Sequence, residues 1–212
     1  MITITIIIVL ITSVISFTAF SNEKVMDDLV FYPPAITNQN QWYRFITSGL
    51  IHADIMHLVF NMYSFYLFGN MVEKAFTLIY GDVGKIIYII LYVSALVVSI
   101  LPTYLNHQND YHYKSLGASG AVSGVIFAGI FLYPTLGMGI FPIPFHIPGF
   151  IFGPLFLVIS YYLANKGRGN INHSAHIWGA LYGIIFLLVT SKFLSNINLL
   201  ENFYNSIIDY LR

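Results

Sequence analysis

Long apolar stretches separated by short polar segments dominate the chain. The hydrocarbon core of a membrane is crossed by roughly 20 mostly apolar residues in a helix. Six stretches of about that length occur, at residues 2–20, 52–72, 86–105, 117–135, 149–165 and 174–194. This pattern predicts an all-α polytopic membrane protein with six transmembrane helices. Because the connections are short and no internal repeat is present, we expect a single transmembrane domain over residues 1–212.

The composition agrees with a membrane protein and excludes several other classes. Of 212 residues, 57% are hydrophobic and only 8% are charged, which lies far outside the range of soluble domains. The formal net charge is zero and the basic residues are scattered, so no nucleic-acid partner is expected. The chain has no cysteine, which excludes disulfides, thiolate metal sites and a cysteine nucleophile. Residues 1–20 lack the basic start of a signal peptide, and we interpret them as the first span.

The polar residues of the spans are expected to gather on one side of the membrane. In a six-span chain the second, fourth and sixth helices run in the same direction, so their first turns lie at one face. Those turns hold most of the polar side chains in the spans: His52, His57, Asn61, Ser119, Ser123, His173 and His176. The first loop, with Trp42 and Arg44, enters on that side as well. Ionisable groups in spans are costly and indicate a functional site.

The fourth span begins with a segment of very small residues. Within residues 117–124 only Val122 is larger than alanine or serine. Small residues let helices in lipid approach closely. Gly117 opens this segment, and Ser119 lies in its first turn, where backbone N–H groups have no helical acceptor. We expect other elements to present a base and an oxyanion site to this serine.

His176 is the candidate base. Gly179 and Gly183 follow it at i+3 and i+7, and this small-residue face predicts close contact with the start of the fourth span. Ser119 and His176 are then expected within hydrogen-bonding distance, as a serine nucleophile and its base require. None of the nine acidic residues lies in the fourth or sixth span, so a Ser–His dyad is favoured over a triad. Asp54 is the one plausible rival for the third position.

Acyl transfer also requires donors for the tetrahedral oxyanion. His57 and Asn61 are one turn apart, about 40° around the helix, so both are predicted to point toward one spot. The backbone N–H of Ser119 is a further candidate donor. His52 is predicted just before the helix, and we assign Ser123 to packing.

Other chemistries fit less well. The segment from His52 to His57 is not the H-E-x-x-H pattern of zinc proteases, and we expect no metal and no cofactor. A lipase-type G-x-S-x-G elbow fails because residue 121 is Ala121. A binder or chaperone of transmembrane helices that has no catalytic activity remains the alternative.

Several short motifs occur in one order along the chain: Trp42-Tyr43-Arg44; His52, His57 and Asn61; Gly69 with Glu73; Gly117-Ala118-Ser119-Gly120; and Ala175-His176 with Gly179 and Gly183. This ordered set resembles the motifs of the rhomboid intramembrane serine proteases. The resemblance extends from about Trp42 to Gly183.

The resemblance implies a six-helix rhomboid-like fold with a water-accessible cavity on the extracytoplasmic side, in the cell membrane of a prokaryote, and a cytoplasmic N-terminus. It implies hydrolysis of peptide bonds in or near the transmembrane segments of other membrane proteins. These substrates and the lipid bilayer are the partners that we expect for this chain. Ser119 would be the nucleophile, His176 the base, and His57 and Asn61 the oxyanion donors.

One departure from the family pattern concerns Ser123. The family commonly has tyrosine at this position, four residues after the nucleophile, stacking on the catalytic histidine. Ser123 is therefore predicted to leave His176 without that support. We also expect the fifth span, with Phe150, Phe152 and Phe156, and the hinge at 166–172 to act as a gate and a lid.

Overall fold

The computed structural model describes residues 2–139, 146–166 and 171–212. The helices in chain order are α1 (Ile4–Phe20), α2 (Glu23–Leu29), α3 (Pro33–Gln39), α4 (Arg44–Thr47), α5 (Ile55–Tyr80), α6 (Gly84–His107), α7 (Ser119–Leu132), α8 (Gly149–Lys166), α9 (His173–Leu194) and α10 (Leu199–Leu211). Two short antiparallel strands, β1 (Gly137–Met138) and β2 (Ile147–Pro148), join α7 to α8. The polar hinge predicted at 166–172 lies largely outside the described residues, at 167–170.

Helices occur in all six predicted apolar stretches, but some bounds differ. The second helix, predicted at 52–72, begins at Ile55 and continues to Tyr80, where Gly81 adopts φ +60°. The fourth, predicted at 117–135, covers only Ser119–Leu132 because Pro134 follows shortly after its end and cannot continue a helix.

Three helical stretches among the described residues are long and apolar enough to cross a membrane, namely Ile55–His107, Gly149–Lys166 and His173–Leu194. The first has 53 residues and contains both α5 and α6, which pack against each other across the turn at Gly81–Val83. Helices α1 and α7 are apolar but shorter. At 1.5 Å per residue, the 17 residues of α1 span about 25 Å.

Helix α1 has the side-chain distribution expected of a helix in lipid. Its buried positions carry small or polar residues, namely Thr5, Thr12, Ser16 and Ala19. Its exposed positions carry large apolar residues, including Ile7, Leu10, Ile11, Val14 and Phe17. In water this arrangement would expose a contiguous apolar surface. In a membrane the apolar face contacts lipid and the small face packs against α5.

Helix α7 lies at the centre of the fold, against α5, α6, α8 and α9. Its glycines meet those of α9. A Cβ on Gly179 would collide with the carbonyl oxygen of Gly120, and one on Gly183 would collide with that of Gly124. The predicted contact between the two small-residue faces is present, and it brings the first turns of α7 and α9 together.

Glu73 on α5 holds the beginning of α1. Its carboxylate accepts hydrogen bonds from the backbone N–H groups of Ile4 and Thr5, both at 2.9 Å, and from the Thr5 hydroxyl at 2.8 Å. A carboxylate at this position also interacts favourably with the positive end of the helix dipole. The role of Glu73 is therefore structural and remote from Ser119.

Arg44 organises the segment between α1 and α5. Its buried guanidinium donates to the carbonyl oxygens of Asp27 at 2.8 Å and Val30 at 2.7 Å. Trp42 stacks on Phe45 with ring centroids 6.0 Å apart, while 56% of its surface remains exposed. These two residues shape the loop and do not reach the first turns of α7 and α9.

Candidate active site

The first turns of α7 and α9 present a serine and a histidine to each other. The Oγ atom of Ser119, the first residue of α7, lies 2.8 Å from the Nε2 atom of His176 on α9. Both side chains are half-buried. This distance is within the range for a hydrogen bond between a hydroxyl and an imidazole. An imidazole so placed is able to accept the hydroxyl proton.

His57, on the first turn of α5, lies against the segment that precedes Ser119. The backbone N–H of Ala53 donates to its Nδ1 atom at 3.4 Å, which places the proton of the neutral ring on Nε2. Gly117 adopts φ +110°, and a Cβ there would come within 3.0 Å of Nε2. Only glycine suits this position, because it tolerates the positive φ and leaves room for the imidazole.

His52 fixes the backbone just before Ser119. The hydroxyl of Ser16 donates to the carbonyl oxygen of Leu50 at 3.0 Å and so accepts from Nδ1 of His52, also at 3.0 Å. The Nε2 atom is then free to accept from the N–H of Ala118, at 3.5 Å. His52 and Ser16 are both fully buried. A continuous chain of hydrogen bonds thus connects α1 to the start of α7.

Sequence reasoning missed Ser16. The available signal was the spacing of Thr5, Thr12 and Ser16 along one face of an otherwise apolar helix. Buried hydroxyls in a lipid-exposed helix require partners, so this face indicated polar contacts with a neighbouring helix.

Asn61 and Asp54 are engaged with their own helix. The Asn61 side chain is buried, and its Nδ2 donates to the carbonyl oxygen of His57 at 3.0 Å, which leaves one amide hydrogen available. The Asp54 carboxylate caps α5 by accepting from the N–H of His57 at 2.8 Å. This contact assigns Asp54 to capping α5 rather than to orienting His176.

The aromatic neighbour of His176 comes from α8. Ser123 is buried within α7. The ring of Phe156 lies beside that of His176, with centroids 6.2 Å apart and planes inclined by 30°. The ring of His173 approaches from another direction, with centroids 5.7 Å apart and planes at 84°. Ser123 itself contributes no ring to His176, and α8 supplies one in Phe156, which was not predicted in this role from the sequence.

Asn172 is a second residue that sequence reasoning missed. Its Oδ1 caps α9 by accepting from the N–H of Ala175 at 3.0 Å. Its Nδ2 donates to the hydroxyls of Thr103 at 2.9 Å and Tyr113 at 3.2 Å. Asparagine just before a helix is a known capping signal. The additional bonds tie the turn that carries His176 to α6 and to the segment before α7.

A cavity of about 940 Å³ adjoins these residues. Its lining includes His57, Gly117, Ser119, Gly120 and Asn172. At its rim Lys114 contacts Asp27 at 2.8 Å, and this hydrogen bond and charge hold the pKa of the Asp27 carboxyl below its usual range. In the described ranges, no three His, Asp or Glu side chains lie close enough together to bind a metal ion.

Comparisons with known proteins agree in one family. The profile of the rhomboid domain matches residues 39–193. YdcA of Bacillus subtilis (strain 168) is 29% identical over 168 residues, which covers 78% of this chain and 76% of that protein. The rhomboid protease GlpG of Haemophilus influenzae is 28% identical over 176 residues, covering 80% and 82% of the two chains. RHOMBOID-like protein 12, mitochondrial, of Arabidopsis thaliana is 32% identical over 152 residues, which covers 66% of this chain and 44% of that protein.

Proposed function

The chain belongs to the rhomboid family, and on that premise we propose that it is an intramembrane serine endopeptidase that uses Ser119 and His176 as a catalytic dyad. Relatives named as rhomboid proteases support an intramembrane protease function. The observation that carries the assignment of the dyad is the 2.8 Å separation between Ser119 Oγ and His176 Nε2.

In the proposed reaction His176 accepts the proton of the Ser119 hydroxyl as the oxygen attacks the scissile carbonyl carbon. The tetrahedral intermediate collapses when the imidazolium returns that proton to the leaving amine, which leaves an acyl group on Ser119. Water, deprotonated by the same imidazole, attacks the acyl carbon, and the imidazolium returns the proton to Ser119 Oγ as the ester bond breaks and the acid leaves. The hydrogen bonds that Asn172 donates to Thr103 and Tyr113 fix the turn before His176, and the contact with Phe156 supports the imidazole facing Ser119.

The proposed oxyanion site lies between α5 and the start of α7. The Nε2–H of His57 points toward Gly117, and the N–H groups of Ser119 and Gly120 have no helical acceptor because they begin α7. The remaining amide hydrogen of Asn61 is the fourth candidate. Loss of one such donor typically lowers the rate by about 100- to 1000-fold.

The membrane topology follows from the same proposal. Six helices, α1 and α5 to α9, would cross the bilayer within one domain. The N-terminus would lie in the cytoplasm and the cavity would open on the opposite side of a prokaryotic cell membrane. Relatives named as mitochondrial or chloroplastic show that the family also occurs in organelles.

Other membrane proteins are the proposed substrates. A scissile bond must be extended to enter the site, so transmembrane segments with Gly, Pro or small polar residues near the surface are favoured because they unwind at lower cost. Helix α8, with Phe156 beside the dyad, is the proposed gate. In α8 the exposed residues outnumber the buried ones, so fewer buried contacts are lost when α8 moves than when the central helix α7 moves.

The test is cleavage of a transmembrane reporter by the purified protein in liposomes. Ser119→Ala and His176→Ala should each abolish cleavage and labelling by a fluorophosphonate probe. Ser123→Ala and His173→Ala are the matched controls, since they remove the same functional groups one turn away on the same helices. Ser123→Ala should retain cleavage, and His173→Ala should lower the rate by no more than about tenfold, the effect of losing one ring contact with His176.

Cleavage that persists in Ser119→Ala would refute the assignment of the nucleophile. A wild-type protein that neither cleaves several reporters nor reacts with the probe, yet captures transmembrane helices, would instead establish a non-catalytic binder.

A further inference from the structure

Helix α10 has a sharply divided surface. At 100° per residue, its polar side chains occupy one continuous arc and its apolar side chains the other. The polar arc consists of Glu201, Asn202, Asn205, Ser206 and Asp209, and Arg212 follows directly after the end of the helix. This pattern differs from α7 and α8, which are apolar all round.

Half of the apolar arc packs against the protein. Leu199 is buried, and Phe203 stacks on Phe131 with centroids 4.5 Å apart. Tyr210 is 54% exposed but meets Phe150 edge-on at 5.9 Å. The other half has no such cover among the described residues. There Leu200, Tyr204 and Leu211 are 61%, 64% and 67% exposed.

The contacts of α10 establish its direction. Phe131 lies at the end of α7, Phe150 at the beginning of α8, and Leu199 follows the end of α9 after a short connection. Between Phe203 and Tyr210 the helix advances by about 10 Å, which takes it from one helix end to the next. It therefore runs across the ends of the bundle rather than into it.

This end of the bundle is opposite to the dyad. Ser119 begins α7, and Phe131 lies twelve residues later, about 18 Å along the axis. The last residues of α9, Phe193 and Leu194, are large, apolar and 75% and 56% exposed. These residues lie one short connection before α10, so exposed apolar side chains occur on both helices at this end of the bundle.

We propose that α10 is an in-plane helix whose exposed apolar strip is buried in the lipid of the membrane interface on the side opposite to the dyad. Three surfaces then meet three environments: Phe203 and Tyr210 face the protein, Leu200 and Tyr204 face acyl chains, and the polar arc faces water. The polar arc carries two acids, and one base follows the end of the helix, so the interaction does not depend on anionic lipid, in contrast to basic amphipathic helices. The interaction is independent of the proposed proteolysis.

The absence of cysteine from the chain makes a direct test possible, because a single introduced cysteine is the only labelling site. Tyr204→Cys lies in the exposed apolar strip, and Asn205→Cys, about 100° further around the helix, lies in the polar arc. Each is labelled with an environment-sensitive fluorophore in the full chain, in phosphatidylcholine vesicles with and without phosphatidylglycerol. Ile185→Cys, exposed at the middle of α9, is the reference for a site in lipid.

The label at position 204 should show blue-shifted emission. Lipids that carry a nitroxide near the glycerol should quench it more strongly than lipids that carry the nitroxide near the end of the acyl chain. The label at 205 should be quenched by aqueous iodide, and phosphatidylglycerol should change neither result. Equal quenching of both labels by iodide would overturn the proposal. Protection of position 204 from both quenchers would also overturn it, by showing that protein covers the strip. If diluting the protein in the vesicles then removed this protection, the covering protein would be a second copy of the chain.

Discussion

The ring of Phe156 on α8 lies beside that of His176 on α9, with centroids 6.2 Å apart and planes inclined by 30°. This contact couples the helix proposed as the gate to the residue proposed as the base. Outward movement of α8 would remove the aromatic neighbour of His176 at the same time as it opens the bundle.

The first prediction concerns this ring. Phe156→Leu should slow the reaction of Ser119 with a small fluorophosphonate by about two- to tenfold, since an aromatic pair contributes roughly 0.5–1.5 kcal/mol. A small probe is preferred because it does not require the gate to open. Phe156→Tyr should retain the wild-type rate.

Phe152→Leu is the control, because Phe152 stacks on Phe156 but makes no aromatic pair with His176. An equal loss of rate in this variant would assign the effect to the packing of α8.

The second prediction concerns the bonds from α1 to the start of α7. Ser16→Ala leaves the buried Nδ1–H of His52 without an acceptor, which should lower the free energy of unfolding by about 1–3 kcal/mol. The loosened Ala118 backbone should also reduce cleavage. Denaturant titration in detergent measures the first effect and a reporter assay the second.

Thr12→Val tests the same helix without breaking a bond. The Oγ1 atom of Thr12 is buried beside the Tyr92 hydroxyl, and within the described ranges neither oxygen makes a hydrogen bond of good geometry. Its removal should be neutral or slightly stabilising. A similar decrease in the free energy of unfolding in both variants would show that the hydrogen bond between Ser16 and His52 is not the cause.

The third prediction concerns the approach of α7 and α9. Gly179→Ala places a methyl group on the carbonyl of Gly120, so the helices must separate. We expect a loss of about 1–3 kcal/mol in stability and, for a displacement of about 1 Å between Ser119 and His176, a loss of about 100-fold in rate.

Gly153→Ala is the matched control on α8, where the nearest heavy atom to the new Cβ is an ordinary contact with Phe127 at 3.5 Å. This variant should fold and cleave normally. If Gly179→Ala also retained full activity, the proposed dependence of the dyad on glycine packing would be wrong.

The fourth prediction concerns pH. Lys114 holds the pKa of Asp27 below its value in the unfolded chain. The pair therefore stabilises the fold above the unfolded pKa, and this contribution disappears as the pH falls through the lowered pKa. Both groups are exposed, so the effect should be small and should weaken further in high salt.

Thermal unfolding as a function of pH provides the measurement. In Asp27→Asn the unfolding temperature should fall slightly less steeply at low pH than in wild type. In Asp28→Asn, a neighbour outside the pair, it should fall as in wild type. Identical profiles for wild type and Asp27→Asn would contradict the prediction.

Much of the architecture was accessible from the sequence. The length of an apolar run predicts where a helix forms in lipid, and the alternating direction expected of successive spans predicted Ser119, His57 and His176 at one face. The close contact of α7 and α9 followed from glycines at helical spacing. The catalytic roles assigned to these residues stay predictions until the variants are measured.

Helix bounds were less accessible. The second helix continues to Tyr80 because the chain does not turn until Gly81, a property of backbone conformation that hydropathy does not report. Helix α10 was not predicted, because its apolar residues occur at helical spacing among polar ones and form no continuous apolar run.

What the sequence alone determined about this protein is its class, its membership of a family and the set of residues that meet at one face of the bundle. These follow from local properties: hydrophobicity, residue size and the order of motifs. Only the tertiary structure decided which atoms pair, including Ser16 with His52, Asn172 with Thr103, and Phe156 with His176. Such contacts join residues distant in the chain, and their geometry depends on the rotation of each helix and the rotamer of each side chain, which no local pattern specifies.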